Sequence, residues 1–486
     1  MKRKISFLMA LLICASIFQS CGSEAGETDT ETRGETTTTQ AAETTDYLDT
    51  LGEKNFNGAS YKIITERSDS YIPILNMECG EITGEVINDA QYNRDRYVEN
   101  RYNVVIEYPE TASGDQSAVY SASLLAGDPI GDVYIDALNE KKGRMTTVFN
   151  NGLLTNLLDV PYLQLDKEWW SRLMYDNLTI NGKLFFTSGD LAPFTYIAPA
   201  CVYMNLTIAE NYGIDENDLY KKVYDGKWTM DVLYSLTKDA DNDLNNDGKL
   251  DALNDFFGVV NESNALTSTM LLATTGVKLS EYNNKTGKLE VNLGTQEVVD
   301  KIDGLSKMFQ NIDNAGINKN FFDSNFKLDQ SIFAIHYVES AIRRFRDMKS
   351  DYVIYPMPKY SEDQESYVSF VNPWVRAFIA IPIVQDDIEK TGFITEVLEY
   401  KSVQEVRPAI YDRTLKGKAL NNDDSIAMLD LIFSTTYIDY NAIYGFGGVL
   451  DAVNQSVFYD APYASAYEAC KNKTEADLDE FMKRFE

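Results

Sequence analysis

From residue 57 onward, short apolar runs alternate with segments whose apolar residues recur at helical spacing. Residues 61–65 predict a strand, and Val86, Ala90, Tyr97 and Val98 predict a helix over 85–101. Residues 104–108 predict a second strand. A helix over 117–126 stops at Gly127, Asp128 and Pro129, and a third strand over 132–136 leads into another helical stretch. This alternation implies a mostly parallel sheet covered by helices on both faces. Ligands in such sheets lie beyond the carboxyl ends of the strands. The loops that begin at 66–71 and at 136–139 are therefore candidates, and with them Tyr71 and Asp136. A second α/β region starts near Ala200. Val298, Ile302, Leu305, Met308 and Ile312 form one stripe of a helix over 295–312. Residues 331–337, 352–355 and 377–381 predict strands, the last closed by Pro382. The C-terminal third reads as mostly helical and closes with a helix over 473–485. No repeat with a period of about 20 to 50 residues is present, which excludes solenoids and propellers.

The first residues read as an address. Lys2, Arg3 and Lys4 precede an apolar run over 5–18 that is too short for a membrane span and has signal-peptide flanks. Ser20 before Cys21 resembles the lipobox of bacterial lipoproteins, although Phe18 and Gln19 depart from its usual residues. The resemblance implies cleavage before Cys21 and palmitate-type lipid on that residue, hence a chain anchored by lipid alone to the outer face of a bacterial cell membrane. An ordinary secretory signal with an incidental Cys is the alternative. Residues 22–50 are rich in Thr, Glu, Asp, Ala and Gly, too polar to bury a core, and read as a tether. The expected boundaries are a signal peptide over 1–20 and a lipidated, disordered tether over 21–56. Cys79, Cys201 and Cys470 are widely spaced, odd in number and without a CxxC, so buried free thiols are expected.

Charge narrows the function. Lys and Arg total 44 against 75 Asp and Glu, a net charge of −31, which argues against a nucleic-acid partner and against docking on anionic lipid. The single His336 sits behind the apolar run 332–335, so a structural or pocket-lining role is expected, and the common acid–base and zinc designs are disfavoured. Paired carboxylates are undiagnostic in so acidic a chain. Gly445, Gly447 and Gly448 follow no clear strand and lack a P-loop Lys, and neither GxSxG nor HExxH occurs. The supply of 31 Tyr, 23 Phe and 4 Trp exceeds what a core needs and suits a cleft that stacks on a ligand.

One metal loop is expected. Asp243, Asn245, Asp247 and Asp251 fall at positions 1, 3, 5 and 9 of a calcium-type loop over 243–255. Gly248 supplies the sharp turn and Lys249 a backbone carbonyl. The twelfth position is Asn254, and Asp255 follows it as an alternative ligand. An acidic surface turn is the competing reading; a structural calcium ion is the one preferred.

The order of several motifs resembles the extracellular solute-binding proteins of family 1, lipoprotein receptors of bacterial carbohydrate ABC importers. Leu125, Gly127 and Asp128 with Gly131, Asp132 and Tyr134 are similar to the family's third strand, and Gly152, Leu154 and Leu157 to the segment after it. Trp169, Trp170, Asn181, Gly182, Gly189 and Asp190 are similar to a subgroup common in Gram-positive gut bacteria. Tyr203 and Asn205 through Trp228 and Asp231 resemble the entry to the second lobe, and Tyr355 to Pro358 resemble a later strand. The resemblance implies a two-lobed periplasmic-binding-protein-like α/β fold of type II, with a ligand cleft between lobes joined by hinge strands. By that analogy the first lobe holds 57–196 and 376–424, and the second holds 197–375 and 425–486. A monomer that captures an oligosaccharide and delivers it to permease subunits is implied, with no catalysis. Aromatic rings suit the apolar faces of sugars, and polar side chains suit the hydroxyls. Cleft candidates are Tyr71 and Asp136 at strand ends, and Asp190, Phe194 and Tyr196 at the first crossing. His336, Tyr337, Trp374 and Arg376 flank the second crossing, and Tyr444 and Phe446 lie in a Gly-flanked loop. The alternatives are a surface glycan-active enzyme, an adhesion or structural lipoprotein, and a receptor of the same fold for a peptide or other solute.

Overall fold

Twelve strands are described, and most fall into two four-stranded sheets. The computed structural model describes residues 46–65, 75–109, 117–139, 144–250, 254–310, 322–375, 377–416 and 422–486. Cys21, Tyr71, Asp251 and Arg376 lie outside the described residues. Residues 1–50 separate as a unit of their own, in which the short helix Tyr47–Thr50 is described.

In chain order the strands are β1 (Ala59–Thr65), β2 (Val104–Glu107), β3 (Val133–Asp136), β4 (Ala200–Asn205), β5 (Phe257–Val260) and β6 (Glu281–Asn283). They continue with β7 (Lys288–Glu290), β8 (Ser331–Tyr337), β9 (Tyr352–Pro356), β10 (Ser369–Phe370), β11 (Phe378–Ala380) and β12 (Thr436–Tyr437). The first sheet has the order β11-β3-β1-β2, with β1 parallel to both neighbours and β11 antiparallel to β3. The second has the order β5-β8-β4-β9; β5 and β8 are parallel, and β4 is antiparallel to β8 and β9. The expectation of mostly parallel sheets therefore needs one correction. β4 and β11 each begin directly after a segment that crosses from the other sheet. Each starts at the edge where its parallel neighbours end and must run the opposite way.

The elements follow from local chemistry. Alternating burial along β2 marks a half-covered edge strand, whereas β3 and β8 are buried throughout because helices cover both faces. The helix Val86–Tyr102 starts where the Glu85 carboxylate accepts from the Ile87 and Asn88 amides at 3.0 Å. It ends at Asn103, whose left-handed φ of 48° closes it. It packs along the long helix Ile388–Lys416, where Tyr102 meets Phe393 edge-on at 5.0 Å and buried Arg94 donates to Ser402 at 3.2 Å. Around the second sheet, Tyr203, Phe326, Phe345 and Tyr352 form one buried ring cluster with the fully buried thiol of Cys201. Cys79, Cys201 and Cys470 are free thiols, the first two buried.

Two crossing segments tie each sheet and its helices, hereafter a body, to the other. Pro199 and Val371 form an antiparallel bridge, and the Asn372 amide donates to the Ala198 carbonyl at 3.0 Å. The Val338 amide, at the end of β8, donates to Pro199 at 2.9 Å, and the Leu138 amide, after β3, donates to Pro373 at 2.8 Å. β10 and β12 pair in parallel beside them. The carboxyl ends of β3 and β8 thus meet at the crossings. The C-terminal helices touch both bodies. Helix Val449–Tyr459 packs on helix Ala265–Thr274, while Phe481 and Phe485 pack their rings on Phe149.

Candidate functional site

A narrow concavity of about 80 Å³ opens where the two bodies face each other beside the crossings. Its walls include Asn139 after β3, Trp374 on the second crossing, Ala265 and Thr269 of the second body, and Tyr444 and Asp451 of the C-terminal helices. Trp374 is 49% exposed, which for an indole of this size is unusual and leaves its face open to a ligand. Pro373 precedes it, and the Asn372 side chain accepts from its amide at 2.9 Å, so its backbone is fixed. Tyr444 stacks on Phe446 at 5.6 Å with an interplanar angle of 4° and donates to Asn150 at 3.0 Å. Gly445 takes φ 58°, the left-handed turn that ends helix Tyr440–Tyr444 and sets that pair in place.

Next to the wall contributed by the second body runs a chain of paired charges. Glu262, just after β5, accepts from Asn264 at 2.8 Å and lies 3.9 Å from His336 Nε2 and 4.0 Å from Arg344. Arg343 and Arg344 both reach the buried carboxylate of Glu339, at 3.3 and 3.4 Å. Asn264 caps the helix whose Ala265 and Thr269 line the concavity, so this network abuts it. His336 is buried, pairs through Nδ1 with Ser340 Oγ at 2.8 Å and meets Tyr337 edge-on at 5.0 Å. Burial, reinforced by the charges of Arg344 and Arg343, holds its pKa well below the usual value. It is a neutral imidazole at neutral pH. On the opposite wall, buried Asp136 ends β3, accepts from the Ala137 amide at 2.7 Å and faces Arg144 at 3.5 Å.

The structure places the sequence candidates in more than one location. Trp374 and Tyr444 line the narrow concavity, with Phe446 behind Tyr444. Asp136, His336 and Tyr337 sit at the strand ends that converge on the crossings. Asp190 and Tyr196 face a second concavity of about 510 Å³, where Arg407 binds both: its Nη2 meets Asp190 at 2.6 Å and its Nε meets the Tyr196 hydroxyl at 2.8 Å. Phe194 is buried in a small recess beside Leu75 and Tyr108. Both Trp169 and Trp170 are buried; each indole donates to one oxygen of Glu396, at 3.0 and 2.9 Å. Asn139, Glu262, Glu339 and Asp451 were not singled out from the sequence.

The described part of the 243–255 loop, residues 243–250 and 254–255, is held by bonds from its own amides. The two oxygens of Asp243 accept from the Asn246 and Gly248 amides, at 2.6 and 2.8 Å. Asp247 accepts from Lys249 at 2.9 Å, and Gly248 takes φ 79°. Asp255 is fully buried and reaches back to the Leu244 amide at 2.9 Å. These amide bonds leave further lone pairs on the same carboxylates unused. Among the described residues, no three acidic, His or Cys side chains already converge on a point that would hold a metal, and Asp251 is not among those residues.

No family model and no curated protein matches the chain. Solved structures do. A cyclo/maltodextrin-binding protein, crystallised in complex with maltotetraose, superposes with a TM-score of 0.59 at 15% identity, covering 88% of this chain and 98% of that one. The chain therefore has the mixed α/β fold of a solute-binding protein.

Proposed function

We propose that this chain captures an oligosaccharide, unchanged, between its two bodies and delivers it to an ABC importer. The carrying observation is the half-exposed Trp374, held at a crossing where the strand ends of both sheets meet. The fold is shared with a protein whose structure contains maltotetraose, and the motif order of the sequence resembles carbohydrate receptors of family 1. Beside the concavity the carboxylates of Glu262 and Glu339 are paired with Arg343 and Arg344, so this network does not select a ligand of net charge. At about 80 Å³ the concavity is smaller than the roughly 300 Å³ at which ligand pockets begin. Its walls belong to different bodies, so a hinge opening at the crossings admits the ligand.

The same reading places the chain on the outer face of the membrane through a lipid at Cys21, with calcium held by Asp243, Asn245, Asp247, the Lys249 carbonyl, Asp251 and Asp255. Calcium there would fix a surface loop of the second body and supply no chemistry to the ligand. The test is calorimetric titration of the purified chain with maltotetraose and a panel of other oligosaccharides. Saturable binding with recovery of intact glycan is expected. Steady turnover of a glycan, lost on replacing a cleft carboxylate, would replace this reading with an enzyme; binding of peptides alone would move the ligand class.

A further inference from the structure

The second concavity has walls that the oligosaccharide reading does not use. It shares no lining residue with the one beside Trp374, although Val371 and Trp374 lie three positions apart on the same crossing. At about 510 Å³ it is within the range of small-molecule sites. Both bodies build it: Arg407 and Tyr411 come from helix Ile388–Lys416 on the first, and Phe433 and Ser434 from helix Asp423–Ser434, which packs on β9 of the second.

Three features give it the character of a site. Arg407 is clamped by Tyr196, Asp190 and the Glu168 carbonyl through Nε and Nη2, and its Nη1 donates to no group among the described residues. The guanidinium is thus oriented in advance with one nitrogen left for an occupant. Tyr196, Phe433 and Tyr411 form a continuous aromatic wall, with edge contacts of 5.2 and 5.5 Å. The Tyr411 hydroxyl is bonded to exposed Asp430 at 2.7 Å, which leaves the second Asp430 oxygen as an acceptor. The lining charges are Lys167, Arg172 and Arg407 against Asp166, Glu168, Asp190 and Asp430. This near-balance, slightly negative in a chain of −31, does not suit an anion.

We propose that this hinge-side concavity is a second binding site, for a neutral hydroxyl-rich ring the size of a mono- or disaccharide. The aromatic wall takes the apolar face of the ring, Arg407 Nη1 donates to one hydroxyl and Asp430 accepts from another. The assignment stands on this concavity alone and does not require the cleft to bind an oligosaccharide.

Tryptophan emission tests it. Trp169 and Trp170 line this concavity, Trp374 lines the other, and Trp228 is fully buried in the second body. The full chain carrying Trp374→Phe is titrated with glucose and with maltose. A saturable change in emission is expected, weakened at least tenfold by Arg407→Lys, which keeps the partner charge for Asp190 but loses the Nη1 donor. Ser434→Tyr, at an exposed position on the rim, should abolish it by filling the space while the melting temperature is preserved. The proposal is overturned if neither sugar gives a saturable change, or if the change survives Ser434→Tyr in folded protein. It is equally overturned if Asn139→Ala removes the change, which would assign the signal to the cleft.

Discussion

Individual residues carry the clearest expectations. Trp374 is half exposed and its backbone is fixed by neighbours, so removing the ring leaves the core intact. Trp374→Ala should weaken oligosaccharide binding by about 1–3 kcal/mol in calorimetry and leave the melting temperature nearly unchanged. A large stability loss with unchanged affinity would assign the ring to packing. Glu399 gives a pH signature. It is fully buried beside Gly189, accepts from the Leu191 amide at 2.9 Å, and its Oε1 has no hydrogen-bond partner among the described residues. Burial, followed by the nearby charge of Asp190, raises its pKa well above the usual carboxylate value. The folded chain then keeps a proton that the unfolded chain releases at about pH 4.3. Stability from this group is present below that pH and is lost as pH rises through the folded pKa. Glu399→Gln should therefore be more stable than the parent at the alkaline end, with a flatter fall in melting temperature as pH rises above about 4.3. An unchanged slope would show that Glu399 ionises freely. Trp374 was legible in the sequence because Asn372 and Pro373 announce a fixed turn. Glu396 and Arg407 were not: they meet Trp169 and Asp190 across 227 and 217 residues from mid-helix positions, and no local pattern encodes such a pairing.

Elements were more legible than partnerships, for a physical reason. β3 and β8 are short apolar runs bounded by polar turns, and burial on both faces requires that composition. The direction of β4 was not legible, because it depends on where the crossing delivers the chain and not on the residues of the strand. Close approaches between elements are similarly invisible. Gly189 lies against the Glu399 carboxylate, and a Cβ there would overlap it. Gly189→Ala should cost about 1–3 kcal/mol in denaturant unfolding, as overpacking does. A neutral result would mean that helix Ile388–Lys416 shifts freely, which its contacts with helix Val86–Tyr102 oppose. The 243–255 loop makes an element-scale prediction of its own. If calcium binds only the folded loop, a hundredfold excess over its dissociation constant adds about 2.7 kcal/mol. Chelator should lower the melting temperature accordingly, and Asp247→Ala should remove the calcium response. No effect of chelator on the parent would leave an acidic turn stabilised by its own amide bonds.

At the scale of the whole molecule, the proposed capture of an oligosaccharide requires the two bodies to change their separation. The walls beside Trp374 come from β3, from the helix Ala265–Thr274 and from the C-terminal helices, and the concavity between them is about 80 Å³. A sugar chain cannot enter that space, and repacking one body would break buried ring clusters such as that around Tyr203 and Phe345. The soft degrees of freedom are the crossings, where a few backbone bonds, such as Asn372 to Ala198 and Leu138 to Pro373, carry the connection. Rotation there is the economical route, and a ligand that touches both walls favours the closed arrangement by its differential affinity. Small-angle scattering of the purified chain should show a smaller radius of gyration with saturating oligosaccharide than without it, using the sugar that binds most tightly in the calorimetric panel. Trp374→Ala should shift that change to higher ligand concentration in proportion to its lost affinity and leave its amplitude intact. An unchanged radius on saturation would mean that the ligand binds one body alone, and the Trp374 wall would then lie outside the binding site.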